Sequence, residues 1–205
     1  MDKSIKIVAS YIIDIFIIAL FLSLITNNKY INPYKNQYYE NYERYQDVLE
    51  LHEDEKITEK EFNHQIQEIN YNLSKYNIYY SVIQILTIII YLGIFPYYYN
   101  GQTFGKKWLN LKIVHKEKKE VKLWQYIIRM IILNNIIFKI LIISGIFLLN
   151  ISSFYWYSTT FSLIQSSIEV IIFMMIVLRK DARGIHDFIA KTKVITIDNK
   201  KIIDN

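Results

Sequence analysis

The chain has 205 residues, a formal net charge of +5, and 52% apolar and 16% aromatic residues. It contains no cysteine, which excludes a disulfide framework, a thiol nucleophile and a Cys-ligated metal. The length suits one domain of ordinary size. The basic balance invites a nucleic-acid reading, but the placement of the apolar residues turns it aside.

The first element is the run Ile5 to Ile25, whose only charges are Lys6 and Asp14. It is long enough to cross about 30 Å of hydrocarbon at about 1.5 Å per residue. Lys3 and Lys6 would suit the n-region of a signal peptide, but no small-x-small site precedes "TNN" and an acid interrupts the apolar core. Residues 1–26 are therefore expected to form a retained first span.

Residues 27–78 hold ten acids against six Lys/Arg. Tyr42, Tyr45, Val48, Leu49 and His52 follow helical spacing, "HEDEK" reads as a turn, and Thr58 with Glu61 forms a capping box. Phe62, Gln65, Ile66, Ile69 and Leu73 continue the stripe, so a helical hairpin is expected, its second helix running on into the next span. His52 and His64 lie on different helices without an acid at ligand spacing. No metal or cofactor is expected.

Tyr79 to Tyr99 carries no charge and has tyrosines at both ends, as in an aromatic belt. It predicts a second span over 79–99. Segment 100–122 follows with seven lysines against Glu117 and Glu120. Its stretch "GQTFGKKWLNLKIV" is no P-loop: three residues separate Gly101 from Gly105, and Lys107 stands where a hydroxyl is needed. Gly101 and Gly105 are expected to permit a tight turn. Lys106 and Lys107 are expected to hold the segment near anionic head groups. Trp108, Leu109, Leu111, Ile113 and Val114 form an apolar strip expected either to pair with Val194–Ile197 as a small ribbon or to lie with it as two unconnected interfacial loops.

Leu123 to Asn150 is apolar but interrupted by Arg129, Asn134, Asn135 and Lys139. It reads as a span, or as an interfacial segment that turns into a short one. Ser158 to Leu178 predicts another, so 123–178 holds the third and fourth membrane helices. The tail 179–205 is basic, with Arg179, Lys180, Arg183, Lys191, Lys193, Lys200 and Lys201. Two basic segments on one face require an even number of crossings between them. The expected architecture is an all-α membrane protein of about four transmembrane helices, both termini cytoplasmic, with an extracytoplasmic hairpin between the first and second.

Three segments in this order resemble the RDD family of bacterial membrane proteins. They are Asp14 in the first span, the "GQTFGK" stretch with Gly101, Gln102, Thr103, Gly105 and Lys106, and "RGIHDFIAKT" with Arg183, Asp187, Ala190 and Thr192. The arginine that the family carries at the start of the first helix is replaced by Ile7, or by Lys6 one residue off, and Lys191 stands where a glycine is usual. The resemblance implies a bacterial plasma-membrane location and a role in ion or solute transport. The hairpin itself is similar, over "LELHEDEKITEKEFNHQI", to the short SHOCT helical hairpin.

Ionisable groups at membrane depth are costly unless they face the protein interior. Asp14, Arg129, Lys139 and Glu169 are the intramembrane polar candidates. Asp14 is expected to pair with Arg129 or Lys139, with ion or ligand handling as the competing role. Gln165, Ser166 and Ser162 extend a polar face beside Glu169. Asp187 is expected to accept hydrogen bonds where the C-terminal element docks. No nucleophile motif or acid pair at catalytic spacing occurs, so no catalytic residue is assigned and no enzyme is expected. Two functions compete: a small transporter, and a non-transporting accessory or immunity protein binding a partner through 27–78. The bilayer is the one sure partner; nucleic acid is not expected, and a homo-oligomer stays open.

Overall fold

The computed structural model describes residues 2–28, 30–117 and 119–197; Lys118, Lys200 and Lys201, counted above among the basic residues, lie outside these. The chain order is α1 (Lys3–Thr26), α2 (Lys35–Glu53), α3 (Glu59–Tyr76), α4 (Ile78–Ile88), a π-helical turn (Ile89–Ile94), α5 (Phe95–Tyr98), α6 (Phe104–Trp108), β1 (Leu111–His115), α7 (Leu123–Leu133), α8 (Ile136–Leu148), α9 (Ile151–Leu178), α10 (Ile185–Ile189) and β2 (Thr192–Thr196). Residues divide into two compact units, one of 1–21, 85–136 and 166–205, the other of 22–84 and 137–165.

Among the described residues, three helical stretches are long and apolar enough to cross a membrane: Lys3–Thr26, Ile78–Tyr98 and Ile151–Leu178. A fourth crossing requires α7 and α8 to count as one span bent by 65°. The 123–150 segment is thus not one straight helix. It breaks where Asn135 takes a left-handed φ of 52° and the Asn134 amide donates back to the Met130 carbonyl at 3.0 Å. Asparagine tolerates that backbone and satisfies groups the break exposes. Helix α9 starts earlier than the hydropathy suggested, because the Asn150 side chain accepts from Ser153 N–H at 2.9 Å and caps it.

In the first unit, Ile7, Leu111, Ile113, Tyr126, Ile172, Ile176, Ala182 and Val194 form the core. The two β-branched strips do pair: β1 and β2 are antiparallel, with Ile113 opposite Val194. Leu111, Ile113 and Val194 turn inward by the two-residue alternation of a strand. Trp108 does not belong to that strip; it ends α6 and is 76% exposed. The helical expectation therefore needs this one ribbon added to it. Gly101 begins the turn into it at φ 79°, donates to the Pro96 carbonyl at 2.7 Å and accepts from Ile113 N–H at 2.9 Å. A Cβ there would lie 2.4 Å from the Ile113 carbonyl oxygen, so glycine is required.

The second unit contains the hairpin. Val48 of α2 packs with Ile66 and Ile69 of α3, flanked by Tyr45, Phe62, Leu73 and Tyr155. Burying each such aliphatic side chain stabilises by about 1.5–3 kcal/mol. Thr58 and Glu61 complete the expected capping box. Tyr42, placed on the stripe by spacing, is exposed instead. His52 stacks on Phe62 at 4.0 Å between ring centres. Helix α3 stops at Tyr76, and Asn77 separates it from α4.

Candidate functional site

Asp14 is fully buried on α1. Its carboxylate receives four donors, all from 91–106. The Tyr91 hydroxyl donates to Oδ1 at 2.8 Å and Gly105 N–H donates to the same oxygen at 2.9 Å. The Thr103 hydroxyl donates to Oδ2 at 2.5 Å, and Lys106 Nζ approaches it at 3.3 Å. The local sequence explains the convergence. Thr103 caps α6, which turns Gly105 and Lys106 towards α1. Gly105 permits the approach, because a Cβ there would lie 2.2 Å from the Ser10 carbonyl oxygen and 2.9 Å from Asp14 Oδ1. Its role is therefore clearance against α1 rather than a turn. The π-helical turn carries Tyr91 to the same carboxylate; such bulges re-aim side chains within a helix. Tyr91, Phe95 and Phe104 stack beside the site with ring centres 5.1–6.1 Å apart.

The partners anticipated for Asp14 are overturned. Arg129 and Lys139 bond elsewhere, and the ammonium at Asp14 is that of Lys106. Lys106 is itself buried, so it is no head-group anchor; its neighbour Lys107 is exposed. Burial pushes the Lys106 ammonium below its ordinary value, and Asp14 offsets part of that shift. The ammonium has two long acceptor contacts, Asp14 at 3.3 Å and the Thr103 hydroxyl at 3.4 Å.

A second buried cluster gathers the C-terminal motif. Arg129 of α7 forms an ion pair with Asp187 of α10, and its guanidinium donates to Thr192 Oγ1 at 3.2 Å. The Thr192 hydroxyl donates to Asp187 Oδ1 at 2.9 Å. Arg183 donates to the Thr192 and Asp187 carbonyls at 3.1 and 3.3 Å, and its guanidinium lies 4.1 Å from the centre of the Phe188 ring. Gln125 donates to the Ala190 carbonyl at 2.6 Å. Burial pushes the His186 imidazole well below its ordinary value, with Arg129 and Lys106 adding to the shift. The ring is then neutral. Its Nε2 lies 3.2 Å from Asp187 Oδ2, and Nδ1 is buried without a hydrogen-bond partner. Lys191, at the position where glycine was anticipated, adopts φ 54°.

The remaining candidates are dispersed. Glu169 accepts from the Asn135 amide at 3.0 Å. Lys139, in the other unit, donates to Gln84 at 2.8 Å. Lys6 is half-buried and belongs to neither cluster, while the adjacent Ile7 enters the core. The sequence reading missed Tyr91 and Gln125, and it marked Asn134 and Asn135 as interruptions without placing the break there. A hydroxyl away from the tyrosine-rich ends of the apolar run, one turn after that of Thr87, was the signal available for Tyr91.

Long apolar helices and charges buried in opposed pairs define a multi-helix membrane protein. The chain belongs to the RDD family, whose model matches residues 4–191. No curated relative and no solved structure matches it.

Proposed function

We propose that the protein moves a small cation across the bacterial plasma membrane in exchange for protons, and that it catalyses no covalent reaction. The observation that carries this reading is the buried Asp14–Lys106 pair, with Nζ 3.3 Å from Oδ2. A lysine destabilised by burial gives up its proton more readily than a solvated one. The carboxylate it leaves can hold a cation of the same charge. Lys106 is then the proton-releasing group and Asp14 the cation holder, with Tyr91, Thr103 and Gly105 orienting the carboxylate. The test is Lys106→Gln in reconstituted vesicles. Asp14 keeps its three neutral donors in this variant, so it folds, while cation-driven proton release is lost. Full flux from Lys106→Gln overturns the assignment.

The orientation within this reading has both termini cytoplasmic and 27–78 outside, supported by the charge asymmetry. A cysteine replacing the exposed Asn63 should label with an impermeant maleimide in intact cells; labelling only after lysis reverses the orientation. A second reading is a non-transporting accessory or immunity protein. It draws on the capped, self-packed hairpin with exposed Tyr30, Tyr39 and Tyr42. Adjacent toxin, peptide-export or protease genes would favour it.

A further inference from the structure

The Asp14 carboxylate is closed from two sides. Thr103, Gly105 and Lys106 reach it from α6 and its cap, with the ammonium at Oδ2. Tyr91 reaches it from the Ile78–Tyr98 stretch, donating to Oδ1 at 2.8 Å. Withdrawing α6 breaks three contacts, one of them charged, whereas withdrawing Tyr91 breaks one. The Tyr91 side is therefore the easier to open.

The turn that carries Tyr91 is built to shift. Over Ile89–Ile94 the helix is π-helical, and Phe95 N–H donates to the Ile90 carbonyl, five residues back rather than the four of an α-helix. Pro96 has no N–H for the Leu92 carbonyl, which weakens the α register at this point. Gly93 lies within the turn, and the atoms nearest to a Cβ there belong to the Met130 and Ile127 side chains, at 3.3 and 3.6 Å. The turn thus rests on flexible neighbours and not on backbone. Its downstream end is pinned, because the Pro96 carbonyl accepts from Gly101 N–H at 2.7 Å. A change of register therefore falls on 89–94. The Tyr91 ring lies nearly parallel to those of Phe95 and Phe104, with centres 5.7 and 6.1 Å away, contacts across which a ring can slide.

We propose that Tyr91 is the gate of the Asp14 carboxylate and that the π-helical turn is its hinge. When the wide turn moves one position towards Ile88, Tyr91 takes α geometry and its side chain swings by about 100°, the rotation of one α-helical residue. Gly105 N–H stays on Oδ1, so the carboxylate keeps its orientation while that oxygen is uncovered. The inference rests on the cation–proton exchange reading and gives each carboxylate oxygen a task. The cation reaches Oδ1 past Tyr91, and the proton leaves from Lys106 at Oδ2.

Thr103→Cys places a reporter beside the carboxylate in a chain with no native cysteine. In native membranes it is treated with methyl methanethiosulfonate, which is small and uncharged. Adding Tyr91→Phe keeps the ring and removes only the hydroxyl. Adding Pro96→Ala restores the missing N–H and favours the α register. Each should speed modification by roughly five-fold or more, the scale on which one hydrogen bond shifts a population. A static cover gives the rate of Thr103→Cys alone, since the ring still fills its place; that rate in either double variant overturns the proposal. Faster modification in a protein that moves no protons on cation addition leaves the hinge standing and removes the exchange reading, while exchange with unchanged modification does the reverse. If Thr103→Cys fails to insert, amide hydrogen exchange over 89–95 decides without a cysteine. It should be faster in Tyr91→Phe than in the wild-type chain, and equal rates overturn the gate.

Discussion

Replacing Gly105 with alanine tests whether close approach to α1 builds the Asp14 site. The new Cβ would stand 2.2 Å from the Ser10 carbonyl oxygen and 2.9 Å from Asp14 Oδ1. A helical backbone carbonyl cannot rotate aside, so α6 must retreat. Overpacking of this kind typically costs about 1–3 kcal/mol. The retreat also breaks the 2.9 Å hydrogen bond from Gly105 N–H to the carboxylate, and bonds to charged groups contribute about 1.5–3 kcal/mol. Together the loss is about 3–5 kcal/mol, or roughly 10 °C or more in melting temperature for a chain of this size. Gly93→Ala is the control. Its Cβ would meet Met130 Cγ at 3.3 Å, a flexible neighbour, and alanine favours helix over glycine by about 1 kcal/mol. Unfolding in detergent, followed by the fluorescence of the three tryptophans, should show a large loss for Gly105→Ala and little change for Gly93→Ala. Equal melting temperatures would refute the reasoning.

Asp187→Ala leaves Arg129 buried without its counter-charge, which typically costs about 3–5 kcal/mol. Asp181→Ala removes a pair whose side chains are 45% and 42% exposed, worth about 0–1 kcal/mol; equal destabilisation would exclude a buried clasp. Lys191→Gly relieves a non-glycine residue at φ 54° and should stabilise by about 1 kcal/mol in chemical unfolding, whereas a clear loss would mean that the lysine side chain holds the turn. His186 has a folded pKa well below the ordinary 6.5, so the unfolded chain takes the proton first as pH falls. Stability should therefore be full above pH 6.5 and decline below it by up to about 1.4 kcal/mol per unit. His186→Gln should flatten that slope between pH 6.5 and 5, and an unchanged slope would show that other groups set it.

The spans were legible because their signal is an uninterrupted apolar run, and the Thr58–Glu61 box because capping is local. The β1–β2 ribbon was partly legible from two β-branched strips, although they are far apart in the chain. The pairing of buried charges was not legible. Lys106 and Asp14 are 92 positions apart, and no periodicity links them, so the lysine read as a surface anchor and Arg129 or Lys139 as the partner of Asp14. Gly105 read as a turn residue because its sequence neighbours are those of a turn. Its role depends on a carbonyl of α1, which only tertiary structure supplies. The break at Asn134–Asn135 was visible as polarity within 123–150, but the left-handed backbone of Asn135 was not.

The most direct test of the Asp14–Lys106 exchange is made on the wild-type chain alone. The purified protein is sealed into vesicles holding a pH-sensitive dye, and a small monovalent cation is added outside. Exchange predicts an alkaline shift of the lumen on cation entry, absent from protein-free vesicles and reversed when the gradient is inverted. A lumen pH that stays at the protein-free level for every alkali cation tried would contradict it.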